Sequence, residues 1–174
     1  MSVPPTIVVE AVLGAVTERR WAARARDPVD VAWGDAGKHR RIVRSASGRE
    51  VALRLPRGTF LADGAVLADD GATVVVVRRP PEPAVVVPLT GADGADGDRV
   101  RAALLLGYLL GNRHAPLDLE SGELRTPLMT SPATARSMLA DLGLPGCVRD
   151  VPLAPHGWSG TSADHREGHA HEHG

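Results

Sequence analysis

The chain has 174 residues, 43% hydrophobic and 24% charged, enough for one large or two small domains. Aromatic residues make up only 3%, so any core must be aliphatic, and 20 basic against 21 acidic residues leave a formal net charge of -1. That balance argues against nucleic acid or an anionic membrane as the main partner.

The single cysteine, Cys147, excludes an intrachain disulfide and any multi-cysteine zinc site. Met1-Ser2-Val3-Pro4-Pro5 lacks a basic stretch followed by an apolar run, so no signal peptide is expected. The longest apolar stretch, Ala102 to Leu110, is about half the length of a membrane span, and a cytoplasmic protein is the expectation.

Thr6 to Val12 is rich in β-branched residues and closed by Gly14, predicting a first strand. Glu18 to Arg26 gathers Arg19, Arg20, Arg24 and Arg26 around Trp21, and a solvated basic strand or loop is expected there rather than a phosphate site. Val29 to Trp33 alternates as a short strand does, and Asp35-Ala36-Gly37 follows as a turn. His39 lies between Lys38 and Arg40, cationic neighbours that disfavour metal binding. Glu50 to Leu55 has apolar residues at alternate positions with Arg54 outward, predicting a half-buried antiparallel strand. Asp63-Gly64 and Asp70-Gly71 predict tight turns, and Thr73 to Val77 a well-buried strand. Short strands at this spacing predict a small β-sandwich or barrel-like module over residues 1–79.

Arg79-Pro80-Pro81-Glu82-Pro83 is a stiff joint at which a second domain, residues 80–154, is expected to begin. Ala84 to Leu89 reads as a strand. Gly91 to Asp98 reads as a flexible acidic loop that does not match a calcium-binding pattern, with Asp98 capping the next helix. That helix carries Val100, Ala103, Leu104, Tyr108 and Leu110, with Gly107 admitting a close neighbour. Gly111-Asn112 is its expected stop, since both tolerate the left-handed conformation. Leu117-Asp118-Leu119 and Leu124-Arg125-Thr126 flank Ser121-Gly122 as a hairpin. Ser131-Pro132 starts a second helix with Met138, Leu139 and Leu142 as its apolar stripe and Gly143 as its end. Cys147 is expected to be a small buried hydrophobe opening a last strand over Val148 to Leu153. Strand, helix, strand, strand, helix, strand is the split βαβ or ferredoxin-like order. The expected fold class is α+β: a small all-β domain, a ferredoxin-like βαββαβ domain and a tail over residues 155–174.

From His156 onward Gly, Ser, Asp, Glu and His dominate, with Trp158 the one large apolar anchor, so this tail is expected to be disordered. His165, His169, His171 and His173 fall within nine residues and are interrupted by acids. Imidazole is a borderline donor suited to nickel, zinc and copper, so metal capture is expected of them. His114 follows the first helix in Gly111-Asn112-Arg113-His114. One histidine alone binds weakly, but a two-fold axis lets each of two chains donate one, and the tail can supply further ligands. Neither predicted helix carries a His-x-x-x-His or paired-carboxylate arrangement to hold a metal and activate water, so a metallohydrolase is not expected.

Tyr108-Leu109-Leu110-Gly111-Asn112-Arg113-His114, followed by Pro116-Leu117, resembles the UreE urease accessory proteins, which are cytoplasmic nickel metallochaperones. Leu55-Pro56-Arg57-Gly58, Leu61-Ala62-Asp63-Gly64, Ala68-Asp69-Asp70-Gly71 and Pro81-Glu82 extend the resemblance over most of residues 40 to 145. It implies a homodimer formed by the second domain, with His114 of both subunits binding Ni2+, or Zn2+ at the same site. It also implies a peptide-binding or partner-docking first domain, and transfer of nickel through an accessory GTPase to the urease apoprotein complex. Leu128 and Thr130 stand where some members carry further histidines, so a second internal site is not expected. Two other readings stay open: a store or buffer in which the tail alone matters, and a plain β-module that binds peptides. Imidazole ligands must be neutral, so metal binding should weaken in acid.

Overall fold

A computed structural model describes residues 6–89, 97–119 and 122–159. Most of the acidic loop, the tip of the expected hairpin and the four tail histidines lie outside the described residues. The chain divides into two units, Met1–Pro80 and Pro81–Gly174.

The first unit contains β1 (Ile7–Val9), β2 (Gly14–Ala15), β3 (Ala25–Asp30), β4 (Arg40–Arg44), β5 (Glu50–Arg54), β6 (Ala65–Asp69) and β7 (Thr73–Arg78). They form a three-stranded sheet, β1-β5-β4, and a four-stranded sheet, β2-β6-β7-β3. Val9, Val51 and Leu53 from the first sheet share a core with Val29, Leu67, Val75 and Val77 from the second. This is a sandwich, but not a purely antiparallel one: β1 runs parallel to β5, and β3 parallel to β7. The basic run around Trp21 resolves into a 3-10 turn, Arg19–Trp21, followed by the start of β3. Trp21 is buried against Val66 and Val74, under the Arg20 guanidinium at 4.4 Å from its ring. β7 is therefore covered on both faces, which is why its sequence shows no polar alternation.

Asp27 on β3 is buried and holds the turn between β4 and β5. Its carboxylate accepts from Ser47 Oγ at 2.6 Å, Ser47 N–H at 2.9 Å and Arg49 Nε at 3.0 Å. Burial alone would push its pKa up, but the hydrogen bonds from Ser47, Ser45 and Arg49 outweigh it and lower the value from 3.8 to about 2.

The second unit contains β8 (Glu82–Pro88), α1 (Gly97–Asn112), β9 (Glu123–Pro127), α2 (Pro132–Asp141) and β10 (Cys147–Val151). The sheet order is β10-β8-β9, antiparallel throughout. The first arm of the expected hairpin is reduced to one bridge. Asp118 N–H donates to the Arg125 carbonyl at 2.9 Å, and Arg125 N–H returns to Asp118 at 2.7 Å. Val85, Val87 and Leu124 cluster with Leu106, Leu110, Ala135 and Leu139 of the two helices. α2 starts as expected, with Thr134 N–H donating to Ser131 Oγ at 3.1 Å ahead of Pro132.

Three expectations need correction. Cys147 is exposed, because its register partner is Val86 while the helices cover Val85 and Val87 on the opposite face. α1 begins at Gly97, so Asp98 sits inside the first turn rather than capping it. A side chain at Gly107 would meet nothing within 4 Å, so no close neighbour among the described residues uses that gap.

Candidate metal centre

α1 is apolar on more than one face. Ala102, Leu106 and Leu110 point into the core. Val100, Leu104 and Tyr108, spaced one turn apart, stay 49%, 70% and 66% exposed. A helix apolar on opposite faces is ordinarily covered on both, and nothing among the described residues covers this second stripe.

The same helix ends in a Schellman arrangement. Ala115 N–H donates to the Leu110 carbonyl at 3.0 Å, and His114 N–H to the Gly111 carbonyl at 3.0 Å. Leu110 and Ala115 are both buried, giving the apolar contact that accompanies this ending. The left-handed residue is not Gly111 or Asn112, which stay helical; it is His114, with φ of 51°. The hydrogen-bond ladder runs to Asn112, so the reversal falls two residues later than the sequence suggests. For a residue with a Cβ this conformation costs about 1–2 kcal/mol, less for histidine than for branched residues. His114 is exposed, and no hydrogen bond or ion pair engages its imidazole among the described residues.

The root of the tail is fastened beside the segment that follows His114. Ser159 N–H donates to the Leu117 carbonyl at 2.8 Å, and Leu119 N–H to Ser159 Oγ at 2.9 Å. The fully buried Asp118 accepts from Ala154 N–H at 2.9 Å, where Ala154 takes a left-handed φ of 44°. Covalent geometry then bounds the reach of the tail: from Ser159 to His165 is at most about 20 Å, and from Leu117 back to His114 about 10 Å.

Among the described residues, no three His, Cys, Asp or Glu side chains gather where they could hold a metal ion. His165, His169, His171 and His173 lie outside the described residues. On the face away from the helices Glu123 is already engaged, accepting from Arg125 Nε at 2.9 Å and from Arg149 at 2.8 Å. The Arg125 hydrogen bond first, with the Arg149 charge, holds its carboxyl below the usual range. His114 is thus an imidazole with no partner among the described residues, and further ligands to any metal held there would have to come from outside them. Sequence reasoning singled out His114 but missed the uncovered stripe and the tail fastening. The stripe was open to inspection, because Val100 to Leu110 is apolar nearly all the way round the helix.

Family models for the N-terminal and C-terminal domains of the UreE urease accessory protein match residues 9–79 and 82–174. A urease accessory protein UreE of Verminephrobacter eiseniae is 32% identical over 129 residues, covering 74% of this chain and 73% of that protein. The protein of that name in Albidiferax ferrireducens is 28% identical over 150 residues, covering 86% and 80%. That of Paraburkholderia xenovorans is 37% identical over 147 residues, covering 82% of this chain but only 56% of the relative.

Proposed function

The chain belongs to the UreE family of urease accessory proteins, accessory chaperones rather than enzymes, and from that premise we propose that it binds Ni2+ and donates it during urease metallocentre assembly. The observation that carries this reading is His114: an exposed, unengaged imidazole kept at a backbone position that favours glycine. Two copies of the chain meet through the Val100, Leu104 and Tyr108 stripe, which supplies the apolar cover that α1 lacks among the described residues. Each copy brings one His114 to the shared ion, with Zn2+ an alternative occupant. His165, the tail histidine nearest the fastened root, is the first candidate to complete the ligand set, and His169, His171 and His173 follow it outward. Partner ligands displace the tail during transfer to the accessory GTPase and the urease apoprotein complex in the cytoplasm. Among the described residues no helix is long and apolar enough to cross a membrane.

A nickel titration with mass followed by light scattering tests this on wild type, His114→Ala and a chain cut after Ser159. The reading expects one tight ion per dimer that is lost in His114→Ala and weakened by the cut. Tight binding that vanishes with the tail and ignores His114→Ala would instead make the chain a metal store.

A further inference from the structure

Asp118 is a wholly buried ionisable residue that the metal-carrier reading does not use. An apolar side chain would sit inside the protein at less cost, so an acid there needs a hydrogen-bonding reason. Its carboxyl accepts from Ala154 N–H at 2.9 Å, joining positions 36 apart in the chain. Asp118 is bridged to Arg125 of β9, at one edge of the sheet, whereas Ala154 follows β10, at the other edge. The residues after β10 therefore cross from edge to edge as a strap and reach the segment that leaves α1. Both neighbours of Asp118 are tied to the same strap, Leu117 through its carbonyl and Leu119 through its N–H, each to Ser159. Three consecutive residues close behind His114 are thereby fastened to residues 154–159.

Among the described residues only His114 and Ala154 combine a side chain with a positive φ, 51° and 44°. Neither conformation is favourable by itself, and such residues persist where their surroundings over-determine them. Here the surroundings are shared. Asp118 receives the N–H of Ala154 and lies four residues from His114, within about 14 Å along the chain. Pro116, between them, has a fixed φ that stiffens this short link. Ala154 is wholly buried and His114 exposed, so the strap anchors the inner end and leaves the imidazole end accessible. We infer that Asp118 is a positioning residue for His114: through Ala154 it latches the strap onto the exit of α1 and holds the imidazole in its presented conformation. The inference deepens the metal-carrier reading and rests on it for the ion, though not for the latch. The end of α2 supplies a contrast, since the same pair of backbone bonds closes there over Gly143, which takes a positive φ freely.

Amide hydrogen exchange on nickel-free, full-length protein tests the latch. Asp118→Ala should speed exchange at His114 and Ala115 by at least ~10-fold, because the Ala154 N–H loses its acceptor, and leave Gly143 and Leu144 near wild type. A fold that was merely destabilised would speed both helix ends alike. Asp118→Asn keeps an oxygen for that N–H and should behave as wild type. Ser159→Pro, which removes the N–H given to Leu117, is the milder variant and should move the same amides in the same direction. With nickel added, Asp118→Ala should bind about 10-fold more weakly, and nickel should slow exchange at Ala154 and Ser159 in wild type but not in His114→Ala. Exchange that is unmoved at His114 and Ala115, or that rises equally after α2, overturns the inference. So does a nickel affinity that survives Asp118→Ala in a chain whose site needs His114, and so does a loss in Asp118→Asn as large as that in Asp118→Ala. The exchange arm uses no nickel, so a wild type that ignores the metal sinks the metal reading while the exchange rates still decide the latch.

Discussion

The two helices of the second unit end in the same way with different residues. After α2, Leu144 N–H donates to Leu139 at 3.0 Å, Gly143 N–H to Ala140 at 2.9 Å, and Gly143 takes φ of 65°. After α1 the same pair of bonds closes over His114 at φ of 51°. One backbone problem has been solved once with the residue that needs no compensation and once with a residue that does. The difference teaches where to look for function. A histidine kept where glycine fits better is kept for its side chain.

Replacement of that side chain should give the largest effect. His114→Ala should weaken nickel binding by about 100-fold or more in a calorimetric titration, since even partners one step removed from a metal contribute 10–100-fold. The matching change at the other helix end, Gly143→Ala, should leave nickel affinity untouched. Equal losses in both variants would mean that helix ending, not imidazole, matters.

Next comes the stripe on α1. Leu104→Asp with Tyr108→Asp should raise the dimer dissociation constant by at least ~100-fold in sedimentation or light scattering, given about 1.5–3 kcal/mol for each large side chain buried. Nickel stoichiometry should fall with it. Single chains that still bind nickel tightly would break the link between the helix end and the shared site.

Acid separates release of the metal from loss of the fold. Asp27 has a depressed pKa of about 2 against 3.8, so its stabilisation is whole above about pH 4 and lost as pH falls toward 2. That loss amounts to about 2 kcal/mol. Nickel release in mildly acidic buffer should therefore occur with the first unit still folded, as circular dichroism against pH would record. In Asp27→Asn the low-pH slope should flatten.

The smallest effects concern the backbone itself. Gly143→Ala should cost about 1–2 kcal/mol by denaturant titration, all of it conformational, because the added Cβ would meet nothing within 4 Å. His114→Gly should do the reverse and stabilise the chain by about 0.5–1 kcal/mol while nickel binding fails. A destabilised His114→Gly would mean that the histidine is retained for the fold.

Much of this could be seen in the residues alone, where the controlling forces are local. Ser131-Pro132 marks the start of α2 because a hydroxyl cap and a fixed φ act within one turn. Gly143 marks its end for the same reason. The run Thr73 to Val77 shows its double burial because no polar residue interrupts it. What escaped depends on distant partners. Cys147 was placed on the wrong face because strand parity is set by pairing with Val86, about sixty residues away along the chain. The parallel pairings of β1 and β3 join strands separated by about half of the first unit. Gly111-Asn112 looked like the reversal, yet packing of Leu110 against Ala115 carries the helix on and hands the left-handed position to His114. The candidate ligand was legible, but the conformation that makes it informative was not.

The fastening of Ser159 to Leu117 and Leu119 has a kinetic side. A ligand tied a few residues from its target meets it at an effective concentration on the order of millimolar, whatever the protein concentration in the cell. On the proposed metal-carrier reading, each tail histidine would be individually weak, leave quickly, and still return before a stray chelator arrived. On the same reading, a partner that presents its own ligands at closer range would win that competition, and the ion would pass to it without a strong bond having to break all at once.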